Sequence, residues 1–546
     1  MKRIAVIKLG MLEIKMNIVE ILSNQTLMML DEYRETTKII DDFVNDVPIS
    51  KSRLDEVLAT LTNFKALCNS KKVSDVYCFA ESNYKCLKNE HSFFEQIISK
   101  LGYRFSVLTD KDAIDYIYTA VVSTINITKG VFFNIDEDKS FLVQYNRRMI
   151  TNQLVIPFGY ASYLTKLKNC DKENRYNTIK ADIDEIFKKE EALWVQELPQ
   201  DTVTVLQGDI FKNISKLVRK QTRYTYDKDQ NFVTNRQNVV AVCDTLQEMP
   251  FDDKKKLKGT TFRADAMVIG SIIAKIVLEK LTYMDIVIKP ATIKEVNSLV
   301  EDTEIDDVSD EFEEDDCDIP CSIIICELGL PFGVALKTTN DGVVSYKPND
   351  VLDFSLSSIC SYYNNNSNSD NVCRLACLIF KQLKVLHKLN RYYMTVLKIA
   401  SRLYDIGARV NPAEMDKYGY IMLINSPIYG VQHREILLAG FVLMCQNNEN
   451  FMLTEWAKYK PIILKEGEDE VELKLACQRL AVILKLARAF DRYSNSRILD
   501  VACDNLGECV IMKTTMANNS VLEIREAKKL DNEFRKVFNN KKIEIL

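Results

Sequence analysis

Apolar residues run unbroken from Ile4 to Ile7. After Lys8-Leu9-Gly10, the positions Leu12, Ile14, Met16 and Ile18 alternate with polar ones. A continuous run followed by a period of two predicts a β-hairpin that turns tightly at Gly10. The unit recurs roughly 125 residues later as Val131–Ile135, a turn over Asp136–Lys139, and Phe141–Tyr145. Between the two lie helical periods over Leu54–Cys68 and His91–Leu101 and a strand at Val76–Phe79, so two related α/β subdomains are expected. Ala266–Leu281 is apolar on nearly every side, the pattern of a buried helix. Ser322–Tyr346 reads as a short β-rich piece, followed by the polar run Asn364–Asp370. Helical periods then dominate over Val372–Leu389, Tyr392–Tyr404, Glu435–Gln446 and Val471–Tyr493. The last carries a stripe of Leu473, Ala476, Leu480, Ile483, Leu484 and Ala487.

The 546 residues exceed what one core organises. The pattern divides them into α/β units at 1–128 and 129–300, an acidic linker at 301–318, a connector at 319–370 and a helical unit at 371–546. The net charge of -5 hides a segregation, because Glu301–Asp318 holds twelve acids and no base. With those set aside, 72 bases face 65 acids, a net of +7. The strip reads as a solvated linker or as a tethered polyphosphate mimic lying over the basic remainder. Neither a membrane nor a nucleic acid is an expected partner.

Scarcities narrow the chemistry further. Sixteen glycines and eleven prolines leave few loops able to turn successive N–H groups toward a phosphate, and three histidines argue against a multi-histidine metal centre. His91, His387 and His433 sit at expected helix ends and read as structural. The fifteen cysteines form no disulfide framework, and Cys317, Cys321 and Cys326 alternate with apolar strand residues, so a reducing cytoplasm is expected. Neither a secretory segment nor a transmembrane helix is expected.

Several short segments occur in a telling order: Ile156-Pro157-Phe158-Gly159, then Lys258-Gly259 with Phe262-Arg263-Ala264-Asp265 and Gly270. Leu484-Lys485-Leu486-Ala487, Phe490-Asp491-Arg492 and Phe534-Arg535-Lys536-Val537-Phe538 follow. Together they resemble the exopolyphosphatase and guanosine pentaphosphate phosphatase (Ppx/GppA) family in both halves, excluding roughly residues 300 to 365. The resemblance implies α/β plus all-α architecture: duplicated actin-like ATPase (ribonuclease H-like) subdomains followed by an HD-type helical domain. It also implies phosphoanhydride hydrolysis with Mg²⁺ or Mn²⁺, polyphosphate or guanosine penta/tetraphosphate as partners, and a homodimer.

The family's catalytic motifs are altered. Where the family's first hairpin reads Asp-Ile-Gly-Ser-Asn, with the Asp near metal and the turn on phosphate, this chain has Lys8-Leu9-Gly10-Met11-Leu12. The second hairpin, Asp-Ile-Gly-Gly-Gly-Ser-Thr in the family, is Asn134-Ile135-Asp136-Glu137-Asp138-Lys139-Ser140. Three acids thus replace three glycines. Ser82, Lys85 and Asn89 match a further phosphate-side segment, with Lys85 in place of an Arg. The catalytic glutamate corresponds to Asp112, or the essential position is Lys111. The third glycine pair is reduced to Gln207-Gly208-Asp209. The HD ligands are eroded to Tyr404-Asp405, Asp416-Lys417-Tyr418 and Cys445, so no metal is assigned to that half.

Lys8 has two readings: it replaces the metal's charge and pairs with an anionic ligand, or it snorkels out of a disused turn. Asp136, Glu137 and Asp138 read as a solvated hairpin tip. The resulting expectation is a non-catalytic or weakly catalytic regulator that binds phosphate-rich anions through Lys8, Gly10, Ser82, Lys85 and Asn89. The alternatives are an active hydrolase using Asp112 and a dimeric scaffold.

Overall fold

The alternating segments pair as their period demands. β1 (Lys2–Leu9) and β2 (Glu13–Ile21) form an antiparallel hairpin with Leu9 opposite Ile14 across the Gly10 turn. β3 (Leu27–Thr36) adds antiparallel to β2, while β4 (Asp75–Ala80) and β5 (Phe105–Val107) add in parallel beyond β1. The first sheet therefore has the order β3-β2-β1-β4-β5. The second repeats it: β6 (Lys129–Ile135), β7 (Ser140–Asn146) and β8 (Met149–Ile156) are antiparallel, and Val203–Gln207 and Ser322–Cys326 follow in parallel beyond β6. Val233–Asn235 closes its edge in antiparallel sense. This is the duplication that the two hairpins predicted.

The computed structural model describes residues 2–37, 39–44, 47–167, 170–199, 202–249, 264–281, 283–284, 322–339, 350–363, 369–445, 449–493, 496–517 and 521–546. Lys258, Gly259, Phe262, Arg263, the acidic stretch 301–318, Cys317, Cys321 and residues 364–368 of the polar run lie outside the described residues.

The run Ile4–Ile7 is apolar throughout because both faces of β1 are covered. Ala5 and Ile7 pack with Val57, Leu61 and Phe64 of the helix Lys51–Ser70, whereas Val6 joins Ile117 and Val121 of the helix Asp110–Thr124. The helix Ala264–Lys280 is buried on nearly all sides, as its composition predicted. Of the stretch read as β-rich, the described residues form one strand, Ser322–Cys326, followed by the helix Leu330–Thr339; Pro331 and Gly333 obscure the helical period there, and residues 340–346 lie outside the described residues. The strand lies inside the second sheet rather than apart from it.

In the second half, the helices Ser369–Gln382, Tyr392–Arg402, His433–Met444 and Glu470–Phe490 share one core. The half expected to be all-helical also ends in a three-stranded sheet of Ile498–Leu506, Cys509–Met516 and Lys542–Ile545. Much of its first two strands is exposed, which left no apolar face to read. Among the described residues, no helix is long and apolar enough to cross a membrane.

Residues 224–231 wedge the α/β half into the helical half. Lys228 Nζ donates to Asn425 O at 2.9 Å, and Asn231 Nδ2 donates to Ile428 O at 3.1 Å. At the centre His433 is buried between Tyr224 and Tyr226. Its Nε2–H donates to the Gln230 carbonyl at 2.8 Å, while Nδ1 accepts from the Tyr224 hydroxyl at 2.9 Å. This is the neutral ring, and its structural reading holds. His387 is likewise buried, with Nε2 on Phe380 O and Nδ1 accepting the Leu389 N–H, whereas His91 lies exposed at a helix start.

Burial, with Arg219 and Lys228 nearby, pushes the His433 pKa down from 6.5 to about 4. An unfolded ring takes up its proton first as pH falls. Stability from this site is therefore complete above pH 6.5 and lost on descending to pH 4, by about 3 kcal/mol for one such group. Urea denaturation between pH 7 and 4 is expected to show this additional loss in the wild type and not in His433→Gln.

Candidate functional site

β1 and β6 are the strands at which each sheet changes from antiparallel to parallel neighbours. In open α/β sheets the crevice at the carboxyl ends of such strands is where ligands bind. Here the turns after β1 and β6 fill that crevice with each other. Glu137 Oε2 accepts the Met11 and Leu12 N–H groups at 2.6 and 2.8 Å. Asp138 Oδ2 accepts from Ser82 Oγ at 2.8 Å and Ser82 N at 3.2 Å. Lys8 Nζ donates to Asp136 Oδ2 and lies 3.0 Å from Glu81 Oε1.

The solvated-tip reading of this turn is overturned: Glu137 is 1% and Asp138 8% exposed. Their partners stand more than 50 residues away in sequence, which a local reading does not see. Lys8 does not snorkel either; its counter-ions are the protein's own carboxylates.

Two glycines admit this packing. A Cβ on Gly10 would sit 2.6 Å from Glu137 Oε1, and one on Gly159 would lie 1.9 Å from Asp136 O. Gly159 leads into the helix Tyr160–Lys166, whose Tyr160 and Ala161 N–H groups donate to Asp136 O and Glu137 O at 3.2 and 3.0 Å. The backbone of the acidic turn is thus held from behind.

Burial alone would lower the Lys8 pKa, but Asp136, Glu81 and Glu137 outweigh it and raise it well above the usual range. Asp136 is lowered because Lys8 and Lys15 overcome its burial. Burial and the Glu13 charge push Glu137 up to about 8. Burial and the neighbouring acids hold Glu81 well above the carboxylate range and raise Asp138. One lysine thus sits among acids that share protons.

A second group extends the tie. Lys15 pairs with Asp209 and, at 2.7 Å, with Glu13, while Arg34 Nη2 reaches Asp209 Oδ1 at 2.7 Å. Despite its burial, the two cations lower the Asp209 pKa. Lys139 pairs with Asp110 across the same boundary.

Of the residues expected at the site, Lys8, Gly10 and Ser82 come together here. Lys85 is exposed on the short turn Ser82–Cys86. Asn89 faces another segment, its amide bridging the N–H and carbonyl of Ile49, each at 3.0 Å. Asp112 is exposed in the first turn of the helix Asp110–Thr124, where its N–H donates to the capping Thr109 Oγ1 at 3.1 Å and its Oδ2 accepts from that hydroxyl at 2.6 Å. Glu81, Glu137, Asp138, Lys15, Arg34 and Asp209 had been assigned no site role. A signal existed for Glu137 and Asp138: an acid-to-lysine change on one turn and glycine-to-acid changes on the other are complementary in charge.

A Mg²⁺ or Mn²⁺ does not fit this turn, because the Lys8 ammonium occupies the centre of the acidic group. In the helical half, Asp405 precedes the turn Ile406–Arg409, Asp416 is buried in the helix Met415–Asn425, and Cys445 ends another helix. Among the described residues, no three His, Cys, Asp or Glu side chains form a metal-binding group.

A cavity of about 390 Å³ opens where the two sheets meet the helical half, with Lys8, Asp136 and Asp209 on its wall beside Ile117, Phe332 and Tyr429. Among solved structures, an exopolyphosphatase from Cytophaga hutchinsonii superposes with a TM-score of 0.51 at 14% identity, covering 63% of this chain and 100% of that one. The Aquifex aeolicus member of the Ppx/GppA protein family gives a TM-score of 0.47 at 16% identity over 63% of this chain and 99% of that one. No curated protein sequence matches. The profile of the Ppx/GppA phosphatase family matches residues 18–137, and that of Ppx/GppA phosphatase, domain III, residues 355–523. These matches to two parts of one family cover more than half of the sequence, and the chain belongs to the Ppx/GppA phosphatase family.

Proposed function

We propose that this chain is a non-hydrolysing regulatory or interaction protein whose cleft is latched by its own carboxylates against polyphosphate and guanosine penta/tetraphosphate. The observation that carries the reading is Glu137 seated on the Met11 and Leu12 amides. In the family resemblance that turn holds phosphate, so an internal carboxyl group takes the place of the external anion. Asp138 does the same at Ser82.

Hydrolysis needs the phosphate charge neutralised and a water positioned. Here Lys8 is engaged by Asp136, and an arriving phosphate meets Glu137 and Asp138 instead of amide donors. Loss of a single oxyanion donor costs about 3 to 4 kcal/mol of transition-state stabilisation. The closed turn withdraws several such donors at once.

Phosphate release from long-chain polyphosphate with Mg²⁺ or Mn²⁺ is expected to stay at the blank for the wild type and Asp112→Asn alike. Turnover by the wild type that disappears in Asp112→Asn overturns the reading in favour of an active hydrolase. Calorimetry at low salt is expected to give no heat with polyphosphate for the wild type, but at least tenfold tighter binding once Glu137→Gly and Asp138→Gly are combined.

The latch also predicts a stability effect. Lys8→Met removes the cation and leaves acids in a largely buried site, which destabilises by about 3 kcal/mol, at the low end for breaking a buried pair. Adding Asp136→Leu is expected to recover part of that loss in urea denaturation.

A further inference from the structure

Charge in the helical half is segregated. From Asn371 to Tyr404 the chain carries seven Lys or Arg and no Asp or Glu. Arg374 donates to Asn371 Oδ1 and the Leu499 carbonyl, and Arg402 pairs with Asp353 and Asp370. Lys381 and Lys398 face a second cavity, of about 520 Å³, whose lining also holds Asp350 and Asp500, so that cavity is mixed in charge. Lys384, Lys388 and Arg391 lie outside its lining. They are exposed on the turn that joins the helices Ser369–Gln382 and Tyr392–Arg402, and among the described residues they make no ion pair.

This turn is firmly held and carries an apolar side chain outward. Lys384–His387 is a single helical turn closed by Lys388, left-handed at φ 54°, whose N–H donates to Lys384 O at 3.0 Å. From inside, the His387 ring stacks on Phe380 with centroids 4.2 Å apart, and the His387 carbonyl accepts from Arg479 Nη1 at 3.2 Å. Leu383 and His387 are therefore buried, and Val385 is left 74% exposed, more than any other large apolar side chain among the described residues.

A second apolar residue lies at the same end. The strand Ile498–Leu506 runs beside the helix Ser369–Gln382 in the same direction: Arg374 holds the Leu499 carbonyl at 2.8 Å, and Gln382 Oε1 accepts the Cys503 N–H at 3.5 Å. Eight helical residues and four strand residues each advance about 12 to 13 Å. The hairpin after Cys503 thus continues past the end of the helix, with Leu506 58% exposed. Of the acids on that hairpin, Asp504 pairs with Lys513 at 2.8 Å, and Glu508 is exposed. The turn and the hairpin together therefore set three unpaired bases against one acid.

We propose that this end of the helical half docks on the surface of an anionic lipid bilayer. Val385 and Leu506 enter the boundary between headgroups and acyl chains, and Lys384, Lys388 and Arg391 lie among the lipid phosphates, a pairing of apolar and basic side chains that such a boundary favours. A nucleic acid or a soluble polyphosphate takes up the bases but leaves both apolar side chains in water. The net charge of -5 argues against a membrane for the chain as a whole, not for this end of it. So few contacts give weak, reversible attachment that salt screens. The surface is separate from the latched cleft, since none of these residues lines the cavity there.

The test is cosedimentation of the full-length protein with vesicles of phosphatidylcholine alone and of phosphatidylcholine mixed with phosphatidylglycerol, at low and high salt. At low salt the bound fraction is expected to be at least fivefold higher on the anionic vesicles, and at high salt the difference disappears. Lys384→Glu combined with Lys388→Glu abolishes it. Val385→Ser combined with Leu506→Ser leaves the charge unchanged and lowers binding at least threefold, whereas Val385→Trp raises it at least threefold and shifts tryptophan emission to the blue. No binding, or equal binding to both kinds of vesicle, overturns the proposal. A charge effect without any response to the two serine substitutions assigns the bases to a soluble polyanion and overturns it as well.

Discussion

A carboxylate laid on two backbone amides, Glu137 on Met11 and Leu12, joins the halves of the duplicated fold, and much around it follows from keeping it there. A buried carboxylate is tolerable only when hydrogen-bonded and paired. The amides supply the first condition and Lys8 contributes to the second. Lys8 in turn needs more than one acid nearby to remain charged at that depth, which Asp136 and Glu81 provide. Gly10 and Gly159 are the backbone consequence, since a side chain at either would strike the acidic turn.

The fold was largely legible because its signals are local. Alternation after Gly10 and the unbroken run before it marked β1 and β2, and the stripe from Leu473 to Ala487 marked the helix Glu470–Phe490. The C-terminal strands escaped notice because their exposed positions are mixed in character. The site was half legible. Lys8, Gly10 and Ser82 lie together in one cleft, but the burial of Asp136–Asp138 was not legible, because burial of three successive acids depends on donors supplied by another sheet. Asp112 and Asn89 carried family roles on paper, yet their side chains are engaged in a helix cap and a loop bridge. Motif position marks where a residue sits, and only its partners decide what it does.

The two halves divide the chemistry between them. In the α/β half, charges are matched in contact across the cleft. In the helical half, Lys384 and Lys388 stand exposed on either side of Val385. The wedge of residues 224–231, with His433 held by both nitrogens, fixes these halves to each other through hydrogen bonds and ring packing.

The close fit of Gly159 behind Asp136 also bears on how such a cleft can change over generations. Exchanging Lys8 alone strands the acids, and removing Asp136 alone takes away the ammonium's hydrogen-bonded partner. Replacing Glu137 alone leaves two amides facing an emptied space. Each single step toward an open phosphate turn thus passes through a less stable protein, and only paired steps avoid the dip. The interlocked charges act as a ratchet: no one of them can be exchanged without its partner except at a cost in stability.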